Sequence, residues 1–344
     1  MAADGVGSAV CAECHRAIYD TYRQTPMARS SGRAGDPPSP EKFARAAFDH
    51  APTGFQYRVS RKDGAYLLEF AKSDGTLRGA KPLPYFIGSG ATARSYLLAD
   101  DGYLFEAPVA YYSGTGKWGF APNYETYAYP YLTRPAMAGC LNCHASFLKP
   151  LPQTQNRYAA TPFAEDGIAC ERCHGPGDAH VRKMKSGDST GGAAILNPAK
   201  LGADQRSSVC AQCHLTGDAR VMRPGRDWQS YRPGDRLSDS LTVFVRTGAV
   251  PGMKVTSHVE KLSLSACQRA AGDRLWCGTC HDPHVVPKPA ERAAWFRQKC
   301  LGCHETGACK ETKSARARRQ DDCTACPPRP TDAVTCVGSS RMAR

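Results

Sequence analysis

Six times in this 344-residue chain, two cysteines stand three positions apart with a histidine directly after the second. The strings are CAECH (Cys11, Cys14, His15), CLNCH (Cys140, Cys143, His144), CERCH (Cys170, Cys173, His174), CAQCH (Cys210, Cys213, His214), CGTCH (Cys277, Cys280, His281) and CLGCH (Cys300, Cys303, His304). Two thiols at this spacing can each form a thioether to one vinyl group of a single porphyrin. The adjacent imidazole then falls under the iron as its proximal axial ligand. Paired C-x-x-C units also build zinc ribbons. A ribbon has no reason to place histidine after every second cysteine, so six covalently attached haem c groups are the expectation.

A seventh C-x-x-C, Cys323 and Cys326, has Pro327 where the axial histidine belongs and makes a poor haem site. Zinc, a disulfide with Cys336, or disorder remain open for it. Cys267 and Cys309 lie outside any motif and flank the last two, so a disulfide between them is an option that sequence cannot fix.

The second axial position needs its own ligands. Of ten histidines, six are proximal, which leaves His50, His180, His258 and His284, all beside turns or motif ends, as candidate distal ligands. His180 follows His174 across a Gly-Pro-Gly turn that can reverse the chain. Four distal histidines for six irons leave two irons to be completed by methionine or open to a small molecule. Met27, which helical spacing brings back over the first ring, is the first methionine candidate, followed by Met222 or Met253.

These ligands must be held by something. The expected fold is a mostly irregular and α-helical multihaem cytochrome c, with short helices around stacked haems and an inserted antiparallel β unit. Residues 1–30 form a first haem-binding segment, residues 31–41 (SGRAGDPPSPE) a linker, and residues 43–131 the β-rich insert. Residues 132–308 form a multihaem domain with five motifs, and residues 309–344 a basic, disordered tail. In the insert, FQYRVS and AYLLEF alternate around Asp63-Gly64, while ARSYLL and YLFEAPVAYY flank Asp101-Gly102, the signature of two hairpins. Its aromatic run, Tyr111 to Tyr131, can pack on porphyrin faces or form a small core, the second being the expectation. Residues 183–194 read as flexible loop, and PAERAAWFRQKC as an amphipathic helix presenting the sixth motif.

With 25 prolines and 32 glycines the chain has few long periodic runs. Its formal charge of +13 would ordinarily point to an acidic partner. Six haems would bring roughly twelve propionate charges and move the loaded protein towards neutrality. No aromatic-interleaved basic motif argues for nucleic acid. Thioether attachment takes place outside the cytoplasm, so the protein is expected to be exported, most simply to a periplasm. The start, MAADGVGSAV, shows no basic region followed by an apolar run, so a signal peptide is expected to be absent or removed.

CERCHGPGDAH, VCAQCH, the SHVE segment, WCGTCHDPH and CLGCH, with YFIGSGATARSYLL in the β unit, resemble the exported multihaem cytochromes c with doubled C-x-x-C-H motifs. That family is related to the tetrahaem electron carriers of nitrifying bacteria and more distantly to multihaem nitrite and hydroxylamine enzymes. The likeness covers most of residues 8–305 and implies distal-ligand roles for His180, His258 and His284. The C-terminus departs from it, with CTACPP where relatives carry a further C-x-x-C-H. Two functions follow. One is an electron carrier serving redox partner proteins, a membrane-associated quinone-linked partner among the candidates. The other is an oxidoreductase in which an open iron binds nitrite, hydroxylamine or a similar species, with Arg94, Tyr96, Tyr111 and Tyr112 as candidate pocket groups.

Overall fold

The two Asp-Gly pairs turn the chain where the alternation requires it. Asp63 and Gly64 (φ 51° and 82°), like Asp101 and Gly102 (φ 46° and 77°), both adopt the left-handed conformation that two-residue hairpins demand. The computed structural model describes residues 5–246, 257–304 and 311–325. It divides into two compact units, Met1–Arg172 with Pro176–Ala194, and Cys173–Gly175 with Ile195–Arg344.

The first unit begins with two short helices, α1 (Ser8–Ala12) and α2 (Arg16–Tyr22), on either side of the first motif's histidine. Strands β1 (Ser31–Arg33), β2 (Ala47–His50), β3 (Phe55–Lys62), β4 (Ala65–Lys72), β5 (Arg78–Pro82), β6 (Tyr85–Ile87), β7 (Ala93–Asp100), β8 (Tyr103–Tyr112) and β9 (Lys117–Phe120) follow. They form a five-stranded sheet, β1-β6-β7-β8-β9, and a four-stranded sheet, β2-β3-β4-β5, antiparallel throughout. Phe55, Tyr57 and Val59 alternate inward along β3. Together with Leu68, Tyr96, Val109 and Trp118 they make a core from both sheets. Tyr111 and Trp118 belong to this core, and Tyr112, Phe120, Tyr127 and Tyr131 pack around buried Tyr124. Tyr129 is exposed.

Helix α3 (Ala138–Leu141) opens the second motif, and β10 (Ala145–Pro150) pairs with β11 (Tyr158–Asp166). That ribbon lies between two motifs, where the sequence pattern announced no strands. Helix α4 (Glu171–His174) carries the third motif, and α5 (Asp178–Lys185) carries His180. Residues 189–194, expected as flexible loop, form a 3-10 helix.

The second unit contains α6 (Ala203–His214), which ends in the fourth motif, and a ribbon of β12 (Ala219–Met222) with β13 (Leu241–Phe244). It continues with α7 (His258–Ser263), α8 (Ala266–Ala271), α9 (Cys277–Cys280) and α10 (Arg292–Leu301). Helix α10 runs into the sixth motif as its amphipathic pattern predicts. Part of the tail is ordered as α11 (Lys313–Arg318), with the Thr312 side chain capping Ala315 N–H. Ala211, Tyr231, Leu237 and Leu241 form the core, with Met222 packed against it.

The expected linker is not a tether. Glu41, at its end, has its side chain fully buried against Arg94, itself 1% exposed. Arg94 Nη1 donates to both Glu41 oxygens at 3.1 and 3.2 Å, Nη2 donates to Pro38 O at 3.1 Å, and Tyr96 Oη donates to Glu41 Oε1 at 2.7 Å. The guanidinium lies 3.8 Å from the Phe86 ring centroid. Arg94 and Tyr96 are therefore committed to a buried ion pair in the β unit and are not pocket groups. Removing one partner strands the other charge, so Glu41→Ala is expected to cost about 3–5 kcal/mol. Thermal or denaturant unfolding of the haem-loaded protein checks this, and a change within experimental error would show that water replaces the carboxylate freely.

Candidate functional site

The sequence marks which residues can attach and ligate a porphyrin iron, and the fold decides which of them meet. His15 stands between α1 and α2, and His180 projects from α5. Their ring centroids lie 6.2 Å apart with planes 14° from parallel. His174, at the end of α4, and His284, just after α9, repeat the arrangement at 6.0 Å and 19°. With a metal–nitrogen bond of about 2.0 Å and a ring nitrogen about 1.1 Å from its centroid, two imidazoles trans on one metal have centroids about 6.2 Å apart. Both pairs fit one iron.

The tautomers fit as well. His180 Nδ1 lies 2.9 Å from Gly191 O, and His174 Nδ1 lies 2.8 Å from Leu196 O. A carbonyl only accepts, so Nδ1 carries the proton and Nε2 keeps a bare lone pair for a metal. The 3-10 helix at residues 189–194 thus has a task, which is to present the Gly191 carbonyl. His284 has Asp282 Oδ1 3.3 Å from its Nδ1, and its backbone N–H donates to the same oxygen at 2.9 Å.

The third pair, His214 and His258, is closer. The centroids are 4.9 Å apart, the planes 44° from parallel, and the two Nδ1 atoms 2.9 Å from each other. Glu260, two residues beyond His258, accepts the N–H groups of Thr216 and Gly217 at 2.8 and 2.7 Å, which ties α7 to the chain just after His214. Burial, then the neighbouring His258 and His281, push the His214 pKa down to about 4. Burial also lowers His281 and His144. These rings are neutral at pH 7, the form that binds a metal.

The thiols bring motifs together. Cys11, whose thiol donates to Gly7 O at 3.7 Å, lies beside Cys170; their proximity raises Cys11 and pushes Cys170 down to about 7. Cys210 and Cys277 repeat this, Cys277 being pushed down to about 7. The first motif is thus beside the third, and the fourth beside the fifth. Cys300 is pushed up to about 12 by burial and then by Cys323, its hydrogen-bond partner. Cys326, Pro327, Cys336, Cys309 and Met253 lie outside the described residues. Among the described residues no group of three or more His, Cys, Asp or Glu side chains is arranged to hold a metal ion.

Two ligand expectations change. The ring facing His15 is that of His180. The Met27 carbonyl instead accepts Ile168 N–H at 3.0 Å and Ser30 Oγ at 2.8 Å, which docks its turn against the end of β11. His50 closes β2 and is used inside the β unit, with Nδ1 2.8 Å from Thr53 Oγ1 and its ring edge-on to Phe120 at 4.7 Å. Among the described residues, no second histidine ring stacks on His144 or His304, and the ring against His281 is that of Phe296, edge-on at 5.5 Å. His144 Nδ1 is buried with no hydrogen-bond partner. Sequence reasoning missed the residues that hold these rings, Glu171, Glu165 and Glu260. Two of them sit inside the quoted strings CERCH and SHVE, and nothing but position distinguishes them from surface acids.

Comparison with known proteins agrees with this geometry. Residues 128–175, which contain the second and third motifs, match the profile of the family described as cytochrome c554 and c-prime. The chain is 23% identical over 180 residues to the multiheme cytochrome MtrA of Shewanella baltica (strain OS185), covering 48% of this chain and 51% of that protein. Its structure is similar to that of the outer cell wall cytochrome OcwA, with a TM-score of 0.52 and 17% identity, covering 90% of this chain and 58% of the other. The chain thus spans only a little over half the length of either relative. The likeness to OcwA shows a shared fold, and the three findings together support a multihaem cytochrome c.

The placement of His50 has a direct check. His50→Ala is expected to leave the ferric absorption spectrum of the loaded protein unchanged, with no new high-spin iron. Loss of the Thr53 hydrogen bond should cost about 1 kcal/mol in unfolding. A new high-spin band would return His50 to the ligand set.

Proposed function

We propose that this chain is an exported multihaem c-type cytochrome that transfers electrons through six covalently bound haems between redox partner proteins. The observation that carries the proposal is the pair of matched imidazole placements, His15 with His180 and His174 with His284, each at the width of one metal. The motif cysteines would tether the six groups, and His15, His144, His174, His214, His281 and His304 would supply the proximal ligands. His180, His284 and His258 would close the second side of the first, third and fourth sites. Haem, when bound, supplies a one-electron couple whose potential follows its axial ligands and surroundings.

The protein's contribution is positional. Two fixed imidazoles hold an iron in one geometry through a change of oxidation state and leave no position for an outside ligand, as a carrier requires. The nearness of Cys11 to Cys170 and of Cys210 to Cys277 supports neighbouring motifs lying side by side, as transfer between centres would need. No helix among the described residues is long and apolar enough to cross a membrane. The relatives' names support electron transfer, and export follows from the chemistry of thioether attachment.

A second reading rests on His144. Its ring is buried, neutral and faces no second histidine among the described residues, so an iron there would be the place for a small nitrogen or oxygen species. Under that reading the chain would be an oxidoreductase acting on a species such as nitrite or hydroxylamine.

The haem count is checked by intact mass, which should exceed that of the polypeptide by six haem groups that resist acid-acetone extraction. Seven would mean that Cys323 and Cys326 are used despite Pro327, and release of most of the haem would end the covalent assignment. The carrier reading is checked with cyanide and nitrite on the ferric protein. Slow or absent binding and no turnover with a redox dye are expected. Rapid binding at one iron per chain, lost on altering the His144 site and coupled to turnover, would replace the carrier with the enzyme.

A further inference from the structure

One buried carboxylate in the first unit neither attaches nor ligates anything, yet it touches the backbone ahead of both His15 and His180. Glu171 is 5% exposed. Its Oε1 accepts the N–H groups of Val6 at 3.1 Å and Gly177 at 2.8 Å, and its Oε2 accepts that of Gly7 at 3.1 Å. The chain closes so tightly on this carboxylate that a Cβ at Gly5 would collide with it, and one at Gly177 would lie 3.4 Å from Oε1. A second clasp lies alongside. Glu165 Oε2 accepts Ser8 N–H at 3.0 Å, and Ser8 Oγ accepts Cys170 N–H at 3.1 Å.

We infer that Glu171 is the positioning residue for the His15 and His180 pair. It pins the segment leading into α1, which carries Cys11 and is followed by His15, and the Gly177 turn that starts α5, from which His180 projects. The two rings are separated by 165 positions in sequence, yet the segments that lead to them meet on one carboxylate. Bonds from N–H to an ionised carboxylate are shorter and stronger than neutral ones, and three of them converge on this side chain. Removing it leaves three donors unpaired in a buried place. Their cheapest relief is entry of water and relaxation of the Gly177 turn, which draws His180 away. The negative charge has a second effect, because it favours the more positive oxidation state of an iron held nearby. This inference rests on the reading of His15 and His180 as one axial pair.

The test uses the haem-loaded full chain and reads electron paramagnetic resonance and a redox titration. Glu171→Ala is expected to keep all its covalent haem, since every motif is intact, and to show one high-spin ferric iron per chain. His180→Ala should give the same signal, added imidazole should abolish it in both, and the double variant should show one such iron rather than two. Glu171→Gln keeps one carbonyl oxygen for Val6 and Gly177 but turns an NH2 group towards Gly7 N–H. It should therefore give a smaller high-spin fraction than Glu171→Ala, together with a raised potential at that iron. If His180→Ala remains low-spin, the axial reading itself fails. If His180→Ala is high-spin while both Glu171 variants keep the parent spectrum and titration curve, Glu171 is not the positioning residue. Should Glu171→Ala fail to accumulate, Glu171→Gln decides alone, and parental high-spin content and potential in it overturn the inference.

Discussion

The proposed site depends on two imidazoles being held one metal's width apart, with one ring of each pair fixed by a carbonyl at its Nδ1. Covalent attachment solves only half of that problem, since the C-x-x-C-H string places a proximal histidine by its own local geometry. The opposing histidine must come from elsewhere in the chain, and its ring must present Nε2. The Gly191 and Leu196 carbonyls set this for His180 and His174 by accepting at Nδ1, as backbone acceptors do around many metal-bound histidines. Short helices and turns suit the task better than long ones. Each need only aim one ring, and the Gly-Pro-Gly turn after His174 sends His180, six residues on, to a different histidine partner.

The β unit solves a different problem. Its two sheets bury an aromatic core of their own, and its buried charge pair, Arg94 with Glu41, is met by Tyr96, Pro38 and the face of Phe86, with only Arg94 Nε left unbonded. A desolvated pair of this kind stabilises little by itself, but it is costly to break, and it fixes the segment that joins the first motif to the sheets. The N-terminal motif is therefore not on a loose arm. β1 adds that segment to the edge of β6, and the carboxylates of Glu165 and Glu171 hold the residues before α1.

What could be read from the sequence follows from how strictly each feature constrains residue identity. The six motifs were legible because thioether chemistry demands cysteine, cysteine and histidine at fixed offsets. The hairpins at Asp63-Gly64 and Asp101-Gly102 were legible because only a few residues accept a positive φ. The pairing of His15 with His180 was not, because nothing local links them. Met27 looked suitable by helical spacing, but α2 ends at Tyr22, and the turn beyond it is drawn to β11 by Ile168 N–H. Residues 31–41 had the composition of a linker, and only the fold shows that Glu41 is the partner of an arginine 53 positions away. The ribbons β10-β11 and β12-β13 carry no clean alternation, since β11 buries Tyr158, Phe163 and their neighbours irregularly.

The three histidine pairs are not equally prepared. The first two have the spacing and, at His180 and His174, the protonated Nδ1 that suit trans ligation of one iron, with planes that happen to lie near parallel. His214 and His258 instead meet at their Nδ1 atoms, 2.9 Å apart, with rings 44° from parallel. To serve one iron they must part by more than an ångström and turn, giving up that mutual hydrogen bond. What keeps them neighbours is Glu260, whose bonds to Thr216 and Gly217 N–H tie the start of α7 to the chain just after His214. A carboxylate near a ligand pair thus recurs in both units. In each it binds backbone rather than imidazole, so the chain is fixed while the rings remain available to the metal.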